Sequence, residues 1–327
     1  MRYFIRKDNL PEVLRLKELF FPKKKSLGSQ DLTELSGYLF DKSNASLAPS
    51  EAYLREKITD IKALMERAIR ADPENPAALY NMARYFIQMS NQNDALTFLD
   101  ASQSAFSKAA SAKLADTYRW IDTYRLEGEI YVKQQEILKA AETFTDGISL
   151  FTNNTPALPG NHIVGKLYSD MADIDYFKYN NSDAAYNYYK AALENDNDTP
   201  AIRYKIGAIL YEKKQFPEAL GSFITTAELV PRDNNLLMAL GTVLMQRNSY
   251  NAAKGYYEEL LKRLDSERAE KGLLMPQVEA EDASLVEMYM KASNNLGVSL
   301  YNLASRTGDS NLNGSAMVQL STSLRAW

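Results

Sequence analysis

The stretch Lys205 to Phe223, KIGAILYEKKQFPEALGSF, is written a second time as ALGTVLMQRNSYNAAKGYY, Ala239 to Tyr257, with few identities but with the same order of residue sizes. An offset of 34 carries Ile206-Gly207 to Leu240-Gly241, Phe216 to Tyr250, Ala219 to Ala253 and Phe223 to Tyr257; the same offset backwards carries Ala219 to Ala185 and Phe223 to Tyr189. Self-similarity at a period of roughly 20 to 50 residues points to like pieces stacked on one another, each burying its apolar face against its neighbours. A glycine and an alanine at fixed places in each piece suit two helices packed closely and antiparallel. Gly207 and Ala219 then mark the closest approach, and Phe223 fills the gap toward the next piece. The boundary chemistry agrees: Thr199-Pro200 reads as an N-cap followed by proline at the first helical position, and Pro217 opens the second helix in the same way.

The order Leu-Gly, Tyr, Ala, Phe and a closing proline, here Pro231, resembles the tetratricopeptide repeat. With this phase, YRLEGEIYVKQQEILKAAETFTDGI places Gly128, Tyr131, Ala140, Phe144 and Gly147 at the family's spacing. ALYNMARYFIQMSNQNDALTFL places Ala83, Phe86, Ala95 and Leu99 likewise, after a preceding B-type helix that holds Ala68 and is closed by Pro73. In SDMADIDYFKYNNSDAAYNYYKAALENDND, Asp173 stands at the usual glycine position, and ASNNLGVSLYNLASRTGD reads as a first helix whose partner begins near Ser315. The repeats start near positions 76, 121, 166, 200, 234 and 290, so three of the intervals exceed a strict period of 34, by 11, 11 and 22. The first excess is helix-compatible, the second (TNNTPALPGNH) is a loop by its Pro, Gly and Asn content, and the third is a longer helix end, a break and a new start. The resemblance implies an all-α fold, a right-handed α-solenoid of antiparallel helix pairs. It spans residues 50–267, after a less regular helical segment over 1–49 and before an irregular helix with an incomplete repeat over 268–327.

Upstream of Pro73, SEAYLREKITDIKALMERAIRA is amphipathic, with Leu54, Ile58, Ile61, Met65 and Ile69 on one stripe and Ser50 as its cap. Two short helices are expected before it. The closing SAMVQLSTSLRAW is amphipathic and stops in mid-pattern, where an array usually ends in a polar-faced cap, so the chain is expected to be a piece of something longer.

Composition excludes several function classes. With 45% hydrophobic and 24% charged residues and no low-complexity tract, the chain has the make-up of a folded protein. A net charge of −4 with dispersed basic residues lacks the electrostatic footprint of a nucleic-acid binder. Without cysteine there is no thiolate nucleophile and no Cys-ligated metal. The single histidine, His162, sits in LPGNHIVG with no serine motif beside it; ENDNDTP lacks the glycine and distal glutamate of a calcium loop; and no phosphate-cradling glycine pattern occurs. Lys23, Lys24 and Lys25 are too few for an electrostatic anchor. The expectation is a non-enzymatic protein with no cofactor and no metal. No segment approaches the roughly 18 apolar residues of a membrane-spanning helix. A soluble chain is expected, periplasmic if it is a piece lacking its leader and cytoplasmic otherwise.

In tetratricopeptide families the first helix of each repeat lines an inner groove. Carried onto this sequence, the inward positions are Tyr80, Arg84 and Gln88; Arg125, Glu129 and Lys133; Asp170, Phe177 and Lys178; Tyr204, Tyr211 and Glu212; and Met238, Met245 and Gln246. The resemblance implies a scaffold whose partners are other proteins, held as an extended peptide or helix by aromatic anchors and charged register points. It does not extend to the chaperone-binding subclass, which uses Lys and Asn where this chain has Tyr80 and Arg84, Arg125 and Glu129, and Tyr204 and Ala208. The alternative is a structural module of a large assembly such as envelope or periplasmic flagellar machinery, since NNLGVSLYNLASRTGD is similar to repeat proteins of the spirochaete flagellar collar.

Overall fold

The computed structural model describes residues 2–20, 27–44, 58–109, 114–154, 157–270 and 283–325. Ser50, Leu54 and Lys23 to Lys25 lie outside them, as does the side chain of Ile58. Every regular element among the described residues is an α-helix, and the chain divides into two compact bodies, Met1–Asn197 and Asp198–Trp327.

The first body holds α1 (Arg2–Arg6), α2 (Leu10–Phe20), α3 (Ser29–Asn44), α4 (Ile58–Ala71), α5 (Pro76–Gln88), α6 (Gln92–Lys108), α7 (Leu114–Lys133), α8 (Ile137–Thr152), α9 (His162–Phe177) and α10 (Ser182–Glu194). Among the described residues three helices therefore precede residue 45 where two were expected. The last of them, α3, pairs with α4. Leu32, Leu35, Leu39 and Phe40 of α3 meet Ile61, Leu64, Met65 and Ala68 of α4 in one buried cluster, which also takes Leu10 and Val13 of α2. Successive pairs then follow as α5 with α6, α7 with α8 and α9 with α10. The first helices of neighbouring pairs also touch, α5 against α7 and α7 against α9.

The second body holds α11 (Pro200–Glu212), α12 (Phe216–Leu229), α13 (Asn234–Gln246), α14 (Tyr250–Glu270), α15 (Ala283–Thr307) and α16 (Ser310–Arg325), again packed pairwise. The partner of α15 begins at Ser310, somewhat before the Ser315 expected. The first excess length is spent on helix, as α6 and α7 run to 17 and 20 residues, and the second ends at the Asn161 cap of α9, with residues 155 and 156 outside the described ones.

What spaces the helices of a pair is a size match between a small residue on the first and a large one on the second. A Cβ added to Gly207 would come within 2.7 Å of the Phe223 ring, and one added to Gly241 within 2.7 Å of the Tyr257 ring. The ring of Phe144 stands in the same way over Gly128. Phe223 is thus seated on the glycine of its own pair, where the spacing alone had placed it toward the next repeat. Where the first helix carries Ala83, the second carries the smaller Leu99, and both are fully buried. Where it carries Asp173, the facing Tyr189 donates its hydroxyl to that carboxylate. Burial, together with this acceptor, holds the Tyr189 hydroxyl far above the usual tyrosine range. The departure at position 173 is therefore a polar solution to the same packing problem.

Helix ends are fixed locally. Thr199, Asn75, Asn161 and Asp233 each accept a hydrogen bond from a first-turn backbone N–H. Between the two helices of a pair the chain turns through one left-handed residue: Ser90, Gln135, Asn180, Lys214 or Asn248, with φ of 57°, 63°, 51°, 60° and 59°. At four of these turns the next N–H donates to a carbonyl five residues back: Asn91 to Phe86, Glu136 to Tyr131, Gln215 to Leu210 and Ser249 to Leu244.

The nesting makes opposite predictions for two glycines of the second body. Gly241→Ala is expected to lower stability by about 1–2 kcal/mol, because the overpacking against Tyr257 outweighs the gain in helix propensity. Gly255→Ala, in α14 with nothing within 4 Å of the added Cβ, is expected to raise stability by about 0.5–1 kcal/mol. Urea unfolding of both variants checks this, and shifts of the same sign would contradict it.

Candidate functional site

Among the described residues the inward side chains of the first body form a connected polar row. Tyr80 of α5 is buried, and its hydroxyl donates to Asp122 Oδ2 of α7 at 2.6 Å. Burial and the Asp122 charge push that phenol far above its ordinary range, so it serves as a donor. Arg125, one turn along α7, donates from Nε to Asp122 Oδ1 at 2.6 Å and from Nη1 to Glu129 Oε1 at 2.6 Å. Its side chain is 11% exposed. Burial works against the guanidinium charge, but Asp122, Glu129 and Asp170 outweigh it and raise its pKa. Arg84 of α5 pairs with Asp41 of α3 at 2.6 Å and lies over the rings of Phe40 and Tyr80, 5.1 and 5.4 Å from their centroids.

One guanidinium thus serves three carboxylates, and the third is served least. Asp170 Oδ2 of α9 lies 3.9 Å from Arg125 Nη1, too far for a hydrogen bond, and that oxygen is buried with no hydrogen-bond partner. Burial is the main cause that drives the Asp170 pKa up, to about 7; Arg125 opposes it, and Glu129 and Asp173 add to it.

Asp170 also lines a pocket of about 500 Å³ between α7, α8 and α9. Glu129, Val132 and Lys133 come from α7, Ile137 and Phe144 from α8, and Asp173, Ile174 and Phe177 from α9, with Lys178 just beyond its end. Phe177 is 60% exposed, and Lys133 and Lys178 are exposed. A second cavity of about 770 Å³ takes Tyr80 and Arg84 together with Arg6, Tyr38, Asp41 and Arg119.

The structure brings Tyr80, Arg84, Arg125, Glu129 and Asp170 into one row, and Glu129, Lys133, Asp170, Phe177 and Lys178 around one pocket. Gln88 is exposed at the end of α5 and takes part in neither. Arg125, expected as a groove contact, is buried, with both its hydrogen-bonding faces given to Asp122 and Glu129. In the second body Tyr204 lies against Phe223 and Tyr211 against Phe216, with centroids 5.4 and 5.6 Å apart, while Glu212 and Gln246 are exposed. Met238 and Met245 pack against the cluster built with α14 and α15. Met245 Sδ accepts from the Tyr257 hydroxyl at 3.2 Å and Met238 Sδ from Asn295 Nδ2 at 3.8 Å, so both thioethers face protein. Sequence reasoning missed Asp122, although its placement three residues before Arg125, with Glu129 four after, is an ion-pair spacing on one helix face. It also missed Ile137 and Phe144, because the pocket borrows them from a second helix. His162 is the first residue of α9, with Nδ1 3.1 Å from the Asp196 carbonyl oxygen. Among the described residues no three His, Asp or Glu side chains are grouped to hold a metal ion, and no helix is long and apolar enough to cross a membrane.

Residues 174–235 match the tetratricopeptide repeat family. No curated protein matches the chain. Among solved structures, it is similar to the C-terminal part of a tetratricopeptide-repeat protein from Cytophaga hutchinsonii, at 15% identity over 88% of this chain and 99% of that one, with a TM-score of 0.51. It is also similar to Pseudomonas aeruginosa pilF, at 14% identity over 72% of this chain and 93% of that one, with a TM-score of 0.52.

Asp170 gives this site a pH signature. Its carboxyl binds a proton more tightly in the folded state than the ordinary value of 3.8 implies. The folded state therefore holds the extra proton between about pH 4 and 7, and the stability is progressively lost as pH rises through that window. Asp170→Asn is expected to match the parent at pH 4 and to exceed it by about 1–3 kcal/mol at pH 8, a range that allows for partial hydration of the carboxylate. Thermal unfolding at both pH values tests this, and a variant less stable than the parent at pH 8 would overturn it.

Proposed function

We propose that this chain, whose residues 174–235 match the tetratricopeptide repeat family and whose helices pack in pairs, binds an extended peptide or helix of a partner protein along the first helices of its repeats. The observation that carries this reading is the pocket of about 500 Å³ in the first body, where five residues expected to face inward gather: Glu129 and Lys133 of α7, Asp170 and Phe177 of α9, and Lys178 just past its end. Phe177 is a large aromatic left 60% exposed beside that pocket. An exposed ring next to an apolar-walled recess is the kind of anchor that supplies most of the energy in peptide recognition. The charged ends of α7 and α9 then set register, because a mismatched charge costs more than a matched one gains.

In the second body the corresponding row is spent differently. Tyr204 and Tyr211 rest on aromatic neighbours and the methionines on the cluster of α14 and α15, which supports a role in holding the repeats rather than in gripping the ligand.

Peptides selected by display on the full chain test the proposal. Micromolar binders, about −8 kcal/mol, are expected. Phe177→Ala should weaken them about tenfold, the effect of losing roughly 1.4 kcal/mol of aromatic contact. Glu142→Lys, exposed on α8 and outside the pocket, should leave them unchanged. Binders indifferent to Phe177→Ala but sensitive to Glu142→Lys would move the site to the outer helices.

A further inference from the structure

We infer that the pocket between α7, α8 and α9 takes a cationic side chain, an arginine or lysine of the partner segment, with its methylene stem on the apolar wall and its charged head against the carboxylates of Glu129, Asp170 and Asp173. This rests on the peptide-binding reading above and names the chemistry of what that peptide must present.

The wall and the floor make different demands. Ile137, Phe144, Ile174 and Phe177 offer a surface that suits a chain of methylenes. The lining also holds three acids, and Arg125, bonded to Glu129 and 3.9 Å from Asp170, already donates to Asp122 and Glu129. Lys133 and Lys178 are exposed, at the last residue of α7 and just past the end of α9. A wholly apolar occupant would strip water from Asp170 and Asp173 and return nothing, and an anionic one would meet three like charges. A long cation satisfies both surfaces, and the exposed Phe177 ring adds a face on which a guanidinium or ammonium can rest. The volume, about 500 Å³, lies within the roughly 300–1,000 Å³ of pockets that hold small ligands. Asp170 adds to that negative charge: its Oδ2 accepts no hydrogen bond, and Arg125 Nη1 stays 3.9 Å away, so its carboxylate is the least compensated of the three that Arg125 serves.

The surroundings of Asp170 set a pH dependence. It is faced by Arg125 and Glu129 from α7 and by Asp173 and Lys166 along α9, while α8 contributes the apolar Ile137 and Phe144, and Tyr189 of α10 donates to Asp173. A cation favours ionised Asp170, so binding releases a proton when the pH lies below the resting pKa of about 7. Affinity should therefore fall about tenfold between pH 8 and pH 6.

The test uses histidine-free dodecapeptides selected by display on the full chain at pH 8, resynthesised with each arginine replaced by citrulline and each lysine by acetyl-lysine. The expected result is selection rich in arginine or lysine, a loss of at least tenfold on neutralising one of them, a similar loss against Asp170→Asn, and the tenfold weakening at pH 6. Asp170→Asn keeps the shape of the protonated side chain, and circular dichroism verifies its fold. Peptides that are weakened by Phe177→Ala but indifferent to citrulline, acetyl-lysine and Asp170→Asn would overturn the cationic pocket and leave the groove reading standing. Peptides indifferent to Phe177→Ala as well, or selection that returns no binder, would overturn both.

Discussion

The contact on which both bodies depend is the seat of one large side chain on one small one within each helix pair. Gly128 under Phe144, Gly207 under Phe223 and Gly241 under Tyr257 let the two backbones approach until the ring fills the space a Cβ would take. Interiors are packed as tightly as organic crystals, so the spacing of a pair is decided at this point and the other contacts follow from it. The same space is met in other ways elsewhere, by Ala83 with Leu99 and by Asp173 with Tyr189. Glycine under an aromatic ring and alanine beside leucine come to a similar combined volume, whereas the bulkier pair Asp173 and Tyr189 is joined by a hydrogen bond instead.

The site in the first body follows from that spacing. Once each pair is closed, the first helices of successive pairs adjoin, and their inward residues are forced into contact across helices. The result is a row in which Tyr80 serves Asp122, Arg125 serves Asp122 and Glu129, and Asp170 is left short. Removing Arg125 would leave several carboxylates unpaired in a poorly hydrated place, so this residue holds the row together. On the proposed reading, recognition falls to the edges: an underserved carboxylate, an exposed ring and two exposed lysines around an apolar recess. That reading divides structural and recognition roles among positions that are equivalent in the repeat.

Much of the fold was legible because it is written in residue size at a fixed period. Glycine, alanine and an aromatic, recurring in step, identify the helix pairs around Gly207 and Gly241, and Thr199-Pro200 marks a helix start through chemistry internal to its own segment. The turns between paired helices were not legible, since Ser90, Gln135, Lys214 and Asn248 adopt a left-handed conformation without the glycine that usually signals it. Nor was the pairing of α3 with α4, whose glycine, Gly37, faces Asn81 of α5 and not an aromatic ring of its own pair. The candidate site was half legible. Positions counted along one helix locate Glu129, Lys133, Asp170, Phe177 and Lys178. A count of that kind cannot show that Arg125 is consumed by Asp122, that Tyr80 reaches a residue 42 positions away, or that α8 lends Ile137 and Phe144 to the wall.

A double-mutant cycle at Gly207 and Phe223 tests the volume constraint most directly. Gly207→Ala, Phe223→Leu and the double variant are unfolded in urea, the double variant reproducing the alanine–leucine match found at Ala83 and Leu99. The account predicts that Phe223→Leu rescues Gly207→Ala, with a favourable coupling of about 1 kcal/mol or more. Strictly additive losses would mean that the ring and the glycine do not share one space, and would contradict the account at its base.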